Sequence, residues 1–437
     1  MVLARSKMQQ IELIATNEIQ MLGVPLGSDE KVAAYVEKKL LHRLKAMVER
    51  LADFDDIQSA FYLLRVSFSI VRATHFMRTT PLAKWIVEAK KFDQQMWDGA
   101  QSILGLPLPE QGWKQACLTP RLGGLGLRRI VDHAEIAFSA SWHEAKATCR
   151  ENWSSRGDTQ WSLSQKQGSF KKDEEILKVL VEEAANQRER QRLLRLQCEH
   201  AGAWICAVPS THDGNDTVMR PRNFQVAVAM RLGLPVLDEE KSCSLCKQII
   251  DVFGACCAVS SDRIHRHNRV RNLLDRIAQE GLLSPVMEKK RLLGDVYGRR
   301  PGDVTIPVWR SNKGLAIDVA VTCPLASSNL HHKEPCEDYA THHKHAYYDA
   351  DFKGTAFEFA AMIFETTGGV NNEGLEVLRQ LFRFAAKHQN LQLSVYCGRA
   401  WARLSCNIQN SVSQCFLNRA GSVAAIEKDI DFLSLNF

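Results

Sequence analysis

Residues 299–325 read RRPGDVTIPVWRSNKGLAIDVAVTCPL, and this stretch carries the pattern that decides the fold. VTIPVW (304–309) and LAIDVAV (315–321) alternate with the two-residue period of β-strands, and the RSNKG segment between them supplies a turn. Asp303 precedes the first strand and Asp318 lies inside the second. A bare carboxylate in a strand is costly, so each aspartate needs a charged partner, a metal or a chemical role.

The predicted hairpin brings the two aspartates to one face. Aligning the apolar faces pairs Val308 with Leu315 and sets Asp303 opposite Ala320, so that the Cα atoms of Asp303 and Asp318 lie about 7–8 Å apart diagonally. Two carboxylates that close can bind one divalent cation, and without a cation or a proton they repel each other. A turn-forming role explains Asp303 alone, because aspartate is disfavoured in mid-strand. We therefore predict a metal site on the face away from the apolar side chains.

Composition limits the class of protein. The 437 residues suffice for two or three domains, and 45% hydrophobic with 24% charged residues is a globular rather than a disordered composition. A net charge of +6 permits binding to a phosphate backbone without requiring it. Thirteen scattered cysteines favour a reducing, intracellular compartment over a disulfide scaffold. The N-terminal segment lacks the features of a secretory signal, and there is no apolar run of transmembrane length.

Hydrophobic periodicity predicts an α+β chain with four parts. Apolar residues recur at helical spacing in KVAAYVEKKLLHRLKAMVERL (31–51) and in similar stretches at 57–77, 83–104, about 131–148 and 173–198. A polar, serine-rich stretch at 152–172 is typical of a linker. The predicted parts are a helical domain (1–150), a linker with a charged helix (151–215), a Cys/His segment with a basic helix (216–285) and an α/β domain (286–437), for which the family resemblance given below implies a mixed sheet.

A Cys/His cluster precedes the hairpin. CSLCKQIIDVFGACCAVSSDRIHRHN (243–268) opens with a C-x-x-C pair, a spacing that offers two thiolates to a tetrahedral zinc ion. A closed four-ligand site would stabilise a segment with few apolar residues. The alternative is a set of buried free cysteines beside solvated histidines. The favoured ligands are Cys243, Cys246, Cys256 and one of His265 and His267, with His267 preferred.

Arginines cluster at the start of the helix that follows: Arg263, Arg266, Arg269 and Arg271. Guanidinium groups suit bidentate phosphate contacts, so these four predict a nucleic-acid surface. A solvated helix end explains any single one of them equally well.

The R-P-G-D motif, the hairpin and the second acid resemble the PD-(D/E)xK nuclease core, in the form carried by non-LTR retrotransposons with a restriction-like endonuclease. CSLC (243–246), DVFG (251–254) and RHN (266–268) are similar to the zinc knuckle and R-H-N motif that precede that endonuclease. FETTGG (364–369) and the helix predicted at 373–388 are similar to the segments that follow the second acid in that endonuclease. The sequence departs from the family pattern at two predicted zinc-ligand positions. The family usually has histidine where this chain has Cys256, and cysteine near Ser260.

The N-terminal part resembles the thumb-like region after the polymerase palm of such elements, through MLGVPLGS (21–28), LLRVSFSIVRATHFMRTTP (63–81) and LTPRLGGLGLRR (118–129). The resemblance covers most of the chain and is weakest over 145–215. No Tyr/Phe-x-Asp-Asp turn occurs in the sequence, and a polymerase needs one to hold its metals. The resemblance thus implies the C-terminal part of a reverse transcriptase polyprotein without a polymerase site.

The resemblance also implies a catalytic lysine. Ala320 stands where the general pattern has lysine, but the retrotransposon version takes it from the following helix. THHKHAYYDADF (341–352) offers Lys344, which we prefer to Lys353, with Tyr348 one turn further on the same face. A solvated surface lysine is the plain alternative.

The expected function is therefore a DNA endonuclease, nuclear by resemblance, in which Asp303 and Asp318 hold Mg²⁺ or Mn²⁺, Lys344 and Tyr348 assist and zinc binds the knuckle. Glu365 is a further candidate metal-site acid. Two alternatives stay open: a catalytically inactive nucleic-acid-binding remnant, and a protein-interaction or RNA-binding helical module over 1–145 that would grip element RNA. Neither a membrane nor a small-molecule substrate is expected.

Overall fold

The computed structural model describes residues 19–148, 163–211, 216–243, 247, 249–253, 261–293, 301–310 and 312–420. The chain forms two compact units. The first comprises Met1–Phe54, Leu63–Ile103 and Leu127–Glu175, and the second comprises Asp55–Tyr62, Leu104–Gly126 and Ile176–Phe437. The predicted boundaries at 150, 215 and 285 do not mark this division, because two short N-terminal segments pack with the C-terminal half. None of the helices in the described ranges is both long and apolar enough to cross a membrane.

The first unit is mainly helical. It begins with a hairpin whose two-residue loop, Leu22 and Gly23, has positive φ at both positions, as a type I′ turn requires. Its strands and helices are β1 (Ile19–Met21), β2 (Val24–Leu26), α1 (Asp29–Val36), α2 (His42–Ala52), α4 (Thr74–Thr79), α5 (Ile86–Leu104) and α7 (Ile130–Thr148). A π-helical turn (Glu37–Leu41) joins α1 to α2. The helices predicted at 31–51, 83–104 and 131–148 are confirmed.

The helix predicted at 57–77 is broken. It consists of α3 (Ile57–Leu63), a π-helical turn (Leu64–Phe68), a 3₁₀ turn (Ile70–Arg72) and the start of α4. Ser69 interrupts it with extended backbone dihedrals, and its hydroxyl donates to the Arg65 carbonyl oxygen. Serine competes in this way with the helical hydrogen-bond ladder.

The linker prediction is wrong at its C-terminal end, because α8 (Gln165–Glu182) already begins there. The Ser164 hydroxyl accepts from the Gln167 backbone N–H, and the Gln167 side chain accepts from the Ser164 backbone N–H. This reciprocal pair is a capping box, a helix-start signal that the serine-rich composition obscured. Residues 152–162 of the predicted linker lie outside the described residues.

The second unit is built on a four-stranded mixed sheet in the order β5-β6-β7-β8. Its strands are β5 (Val286–Met287), β6 (Val304–Arg310), β7 (Lys313–Thr322) and β8 (Phe357–Glu365), and β7 pairs with β8 in parallel. A short antiparallel pair, β3 (Lys241–Ser242) and β4 (Ile249–Ile250), stands apart from this sheet. The remaining helices of this unit are α6 (Glu110–Cys117), α9 (Gln187–Arg195), α10 (Ala203–Cys206), α11 (Pro221–Leu232), α12 (Ser261–Glu280), α13 (Pro335–Tyr339), α14 (Ala346–Phe352), α15 (Asn372–His388) and α16 (Leu393–Ala420).

Both faces of the mixed sheet are covered. On one face Val304, Ile306, Leu315 and Ile317 join the core formed with α12, α15 and α16. The other face meets the β7–β8 crossover, where α13, a π-helical turn (Ala340–His345) and α14 pack over the sheet. The face predicted to carry the two aspartates is therefore covered rather than open.

The β6–β7 register follows the prediction only next to the turn. Arg310 pairs with Lys313 as the predicted register requires, but a bulge then shifts the pairing by two residues, so that Ile306 rather than Val308 faces Leu315. Pro307, inside the bulge, has no backbone N–H to donate to the ladder. The shift brings Asp303 next to Asp318 instead of opposite Ala320.

Candidate active site

Asp303 and Asp318 lie side by side on one face of the sheet. Asp303 Oδ2 accepts the Val319 backbone N–H at 2.7 Å, and Asp303 Oδ1 lies 3.0 Å from His267 Nε2. Burial alone would raise the pKa of Asp303, but the hydrogen bonds from His267 and Val319 hold it below its ordinary value. Asp303 is therefore ionised at neutral pH and fixed in position by its neighbours.

The pKa of Asp318 is shifted in the opposite direction, upwards. Asp318 is only 7% exposed to solvent. Burial raises its pKa to about 6; Lys344 opposes that shift and the Asp303 carboxylate reinforces it. Because Asp303 stays ionised, the pair binds one proton below about pH 6. The pair thus holds one negative charge in mild acid and two adjacent negative charges above it.

Lys344 reaches the pair from the crossover. Its Nζ donates to both carboxylate oxygens of Asp318, at 2.9 Å each. It lies in the π-helical turn Ala340–His345, and such turns recur at functional sites. Lys353 ends α14 as an exposed residue. The structure therefore brings to Asp318 the lysine that the sequence favoured.

His345, next to Lys344, clamps the π-helical turn. Its Nδ1 lies 2.8 Å from Asp349 Oδ1 and its Nε2 lies 2.9 Å from Glu373 Oε2. The same Glu373 oxygen accepts the backbone N–H of Ala361, the β8 residue that pairs with Asp318. A local pattern does not single out His345, because its second partner, Glu373, lies 28 residues away on α15.

Tyr348 packs beside this cluster. Its ring lies 5.0 Å from that of Phe359 on β8 and 4.7 Å from that of Tyr347. These contacts orient the ring against the sheet, and the substrate-positioning role predicted for Tyr348 stays a prediction.

Glu365 is not a metal-site acid. It is completely buried and forms a two-point ion pair with Arg195, and the Thr367 hydroxyl donates to it at 2.8 Å. Glu365 pairs with Thr322, four residues beyond Asp318 on β7, so the two acids are about 13 Å apart along the strands. Arg195, the partner that neutralises Glu365, lies too far away in sequence to have been foreseen.

Two of the predicted zinc ligands lie in the described residues. Cys243 is buried at the end of β3, where its carbonyl accepts the Lys247 N–H, while Cys246 and Cys256 lie outside the described residues. His267 Nε2 lies 3.0 Å from Asp303 Oδ1, because its position on α12 turns the ring towards β6. The zinc-ligand role predicted for these residues stays a prediction. Within the described ranges, no group of three or more His, Cys, Asp or Glu side chains is arranged to hold a metal ion.

The arginine cluster is also divided. Arg271 forms an ion pair with Glu288, and Arg266 Nη2 donates to the Val321 carbonyl oxygen at 3.3 Å. Arg263 and Arg269 are exposed. Arg271 is therefore already paired with an acid that follows β5, and the phosphate-binding role predicted for the four arginines stays a prediction.

Neither the comparison with protein-family models nor the comparison with curated proteins found a match for this chain.

Proposed function

We propose that the second unit is a metal-dependent DNA endonuclease domain that nicks target DNA by phosphodiester hydrolysis. The observation that supports this proposal best is the cluster in which Asp303 accepts the N–H of Val319, next to Asp318, and Lys344 donates to Asp318. Two acids and a lysine in one cluster form a group that can hold a cation beside a phosphate. The order α12, β5, β6, β7, crossover, β8 also agrees with the restriction-endonuclease-like fold that the motifs imply.

The side chains present fit Mg²⁺ or Mn²⁺. Mg²⁺ keeps several waters and is commonly bound through one or two carboxylates plus phosphate oxygens, so Asp303 and Asp318 suffice as protein ligands without a third acid. When bound, the ion would activate water and neutralise charge at the scissile phosphate. His267 and the Val319 N–H hold Asp303 in place, and Lys344 supplies a positive charge for the attacked phosphate.

The wider context remains part of the proposal. The resemblance to a non-LTR retrotransposon protein suggests a nuclear polypeptide that nicks DNA to prime reverse transcription. It also suggests a zinc knuckle before the nuclease domain and the RNA of the element as a partner. These attributes rest on the sequence motifs, and the geometry of the acid pair supports only the nuclease part.

A second candidate function is a catalytically inactive nucleic-acid-binding remnant. One observation favours it: each carboxylate already has a cationic or proton-donating neighbour, Lys344 for Asp318 and His267 for Asp303. An acid pair balanced in this way is stable without a metal, and a metal would have to displace Lys344 from at least one oxygen of Asp318.

A nicking assay separates the two candidates. Supercoiled plasmid is incubated with Mg²⁺ and the wild-type chain, Asp303→Asn, Asp318→Asn or Asp238→Asn, the last an exposed aspartate outside the cluster. Nicking by the wild type and the Asp238 variant, with loss in the other two, supports the endonuclease. DNA binding without nicking by any of the four supports the remnant.

A further inference from the structure

A large cavity lies at the carboxyl ends of β7 and β8. It has a volume of about 1350 Å³ and is lined by Val321 and Thr322 at the carboxyl end of β7 and by Thr366 and Thr367 just after β8. Ligands of α/β sheets bind where parallel strands end, and the volume exceeds the roughly 300–1,000 Å³ of ordinary small-molecule pockets. The cavity is therefore large enough for an extended ligand.

Sequence neighbours of the site residues line this cavity. Val321 follows Asp318 by three residues on β7, a separation of about 10 Å. Arg266 precedes His267, and His343 precedes Lys344. A ligand in the cavity would thus extend towards the acid pair.

The cavity has a basic wall, formed by Arg263, Arg266, His332, His342, His343 and Arg419. Asp338 is the acid on this wall, and it is bound to His332. Of the other acids in the lining, Asp251 is paired with Arg188 and Glu189 with Arg192, and Glu183 and Glu240 are also present. Arg419 is paired with Asp262. The positive charge on the side nearer to α12 therefore comes from Arg263 and Arg266.

One side-chain nitrogen of Arg266, a residue of the cavity lining, has no hydrogen-bond acceptor among the described residues. Its Nε is buried and makes no hydrogen bond within the described part of the chain, although its Nη2 reaches Val321. Buried donors in native proteins are almost always satisfied by protein, water or ligand. A phosphate oxygen is a strong acceptor for a guanidinium group.

We infer that this cavity receives an unpaired nucleic-acid strand, with its phosphates along the basic wall and one end directed towards Asp303 and Asp318. The inference rests on the proposed nuclease function, which supplies the identity of the ligand as nucleic acid. An enclosing, concave site suits a single strand, because proteins read a duplex by inserting a helix or a ribbon into its groove. Tyr339, a partly exposed residue of the lining, offers aromatic surface to unpaired bases.

The test is fluorescence anisotropy in EDTA, which measures binding without cleavage. The probes are a labelled twelve-nucleotide dT strand and a labelled dA/dT duplex of the same length. The proteins are the wild type, Arg263→Gln, the double variant Arg263→Gln/Arg266→Gln, and Arg276→Gln, which replaces an exposed arginine of the same helix outside the cavity. Arg263 is exposed, so its single variant removes a phosphate partner without disturbing the core.

We expect the wild type and Arg276→Gln to bind the single strand more tightly than the duplex. The double variant should lose about tenfold or more in single-strand affinity, with a shallower dependence of affinity on salt. Equal binding of duplex and single strand by the wild type would overturn the inference, as would unchanged affinity in both cavity variants.

The result can be separated from that of the proposed function. Single-strand binding in EDTA and plasmid nicking with Mg²⁺ are measured on the same wild-type protein and can fail independently. Lack of nicking with intact single-strand binding would count against the endonuclease alone. Nicking without single-strand preference would count against the cavity alone.

Discussion

Lys344 donates to both carboxylate oxygens of Asp318, yet the pKa of Asp318 still rises to about 6. Burial and the neighbouring Asp303 carboxylate outweigh the lysine, so the folded chain holds a charge at neutral pH that it disfavours. Keeping two acids together in a buried site therefore lowers the free energy of unfolding of the protein. Such a loss of stability is common where side chains are selected for function.

The first prediction is that Asp318→Asn stabilises the protein at neutral pH. The folded-state pKa is about 6 against an ordinary 3.8, so the native state binds more protons between these values and wild-type stability falls as pH rises through that window. The asparagine variant lacks this loss and should gain up to about 3 kcal/mol at pH 7.5.

Urea unfolding of Asp318→Asn and the wild type at pH 7.5 and pH 4.5 measures this effect. The gain should shrink at the lower pH, and Asp238→Asn should show none at either. A variant less stable than the wild type at pH 7.5 would contradict the burial argument.

The second prediction concerns the buried pair of Arg195 and Glu365. Arg195→Ala leaves the fully buried Glu365 carboxylate without its cation, so the free energy of unfolding should fall by about 3–5 kcal/mol. Arg379→Ala removes an exposed partner of Glu199 and should lose no more than about 1 kcal/mol. Adding Glu365→Gln to Arg195→Ala should recover part of the loss, and chemical denaturation of the four proteins gives the values. Equal losses in the buried and the exposed variant would contradict this account.

The third prediction is that His345 positions Lys344. The imidazole lies between two carboxylates, so both ring nitrogens donate and the hydrogen bonds to Asp349 and Glu373 raise its pKa against the effect of burial. This stabilisation is complete below the ordinary value of 6.5 and is lost as pH rises through the higher folded-state value. His345→Gln should lower nicking about tenfold, and the activity of the wild type should decline as pH rises through the raised pKa of His345.

Histidine carbon NMR gives a second measurement, independent of activity. The His345 titration should have a midpoint above 6.5 in the wild type and move down in Glu373→Gln. His388→Gln, an exposed change at the end of α15, is the control. An unshifted His345 titration in Glu373→Gln would show that the clamp is not formed.

The fourth prediction concerns the first unit. The carboxylate of Asp93 on α5 accepts the backbone N–H groups of Ile130 at 2.8 Å and Val131 at 3.2 Å, at the start of α7. Asp93→Ala leaves these donors without their acceptor and should lower the free energy of unfolding by about 1–2 kcal/mol. Asp98→Ala, an exposed change on the same helix, should have little effect when both are compared by urea unfolding.

The pH dependence of stability gives a second test of the role of Asp93. Burial raises its pKa to about 7 even though the two N–H groups favour the charged form, so the wild type loses part of this group's stability as pH rises from 4 to 7. The difference between Asp93→Ala and the wild type should therefore be smaller at pH 8 than at pH 5.

Much of the site could be predicted from local patterns. The period of two in the strands brought Asp303 and Asp318 to one face, and helical spacing with the family resemblance selected Lys344. The pairing itself could not be predicted, because the bulge at Pro307 changes the register between the turn and the acids. Periodicity reports which face a side chain occupies and does not report how many residues a bulge absorbs.

The missed interactions share one physical cause. Arg195 neutralises Glu365 across 170 residues of sequence, and His267 contacts Asp303 across 36 residues. Such contacts depend on how helices pack on the sheet, which a local pattern does not encode. The capping box of Ser164 was different, because its S-x-x-Q signal was present in the sequence and composition masked it.

The two-residue step in the β6–β7 hairpin bears on how related chains should be searched for. An even change in strand length leaves both acids on the same face, whereas an odd change would send one of them into the hydrophobic layer. A search pattern with a fixed gap between the acids will therefore miss hairpins whose bulge is larger or absent. A pattern that lets the gap vary in steps of two, with the lysine sought in the following crossover, follows the geometry of this fold.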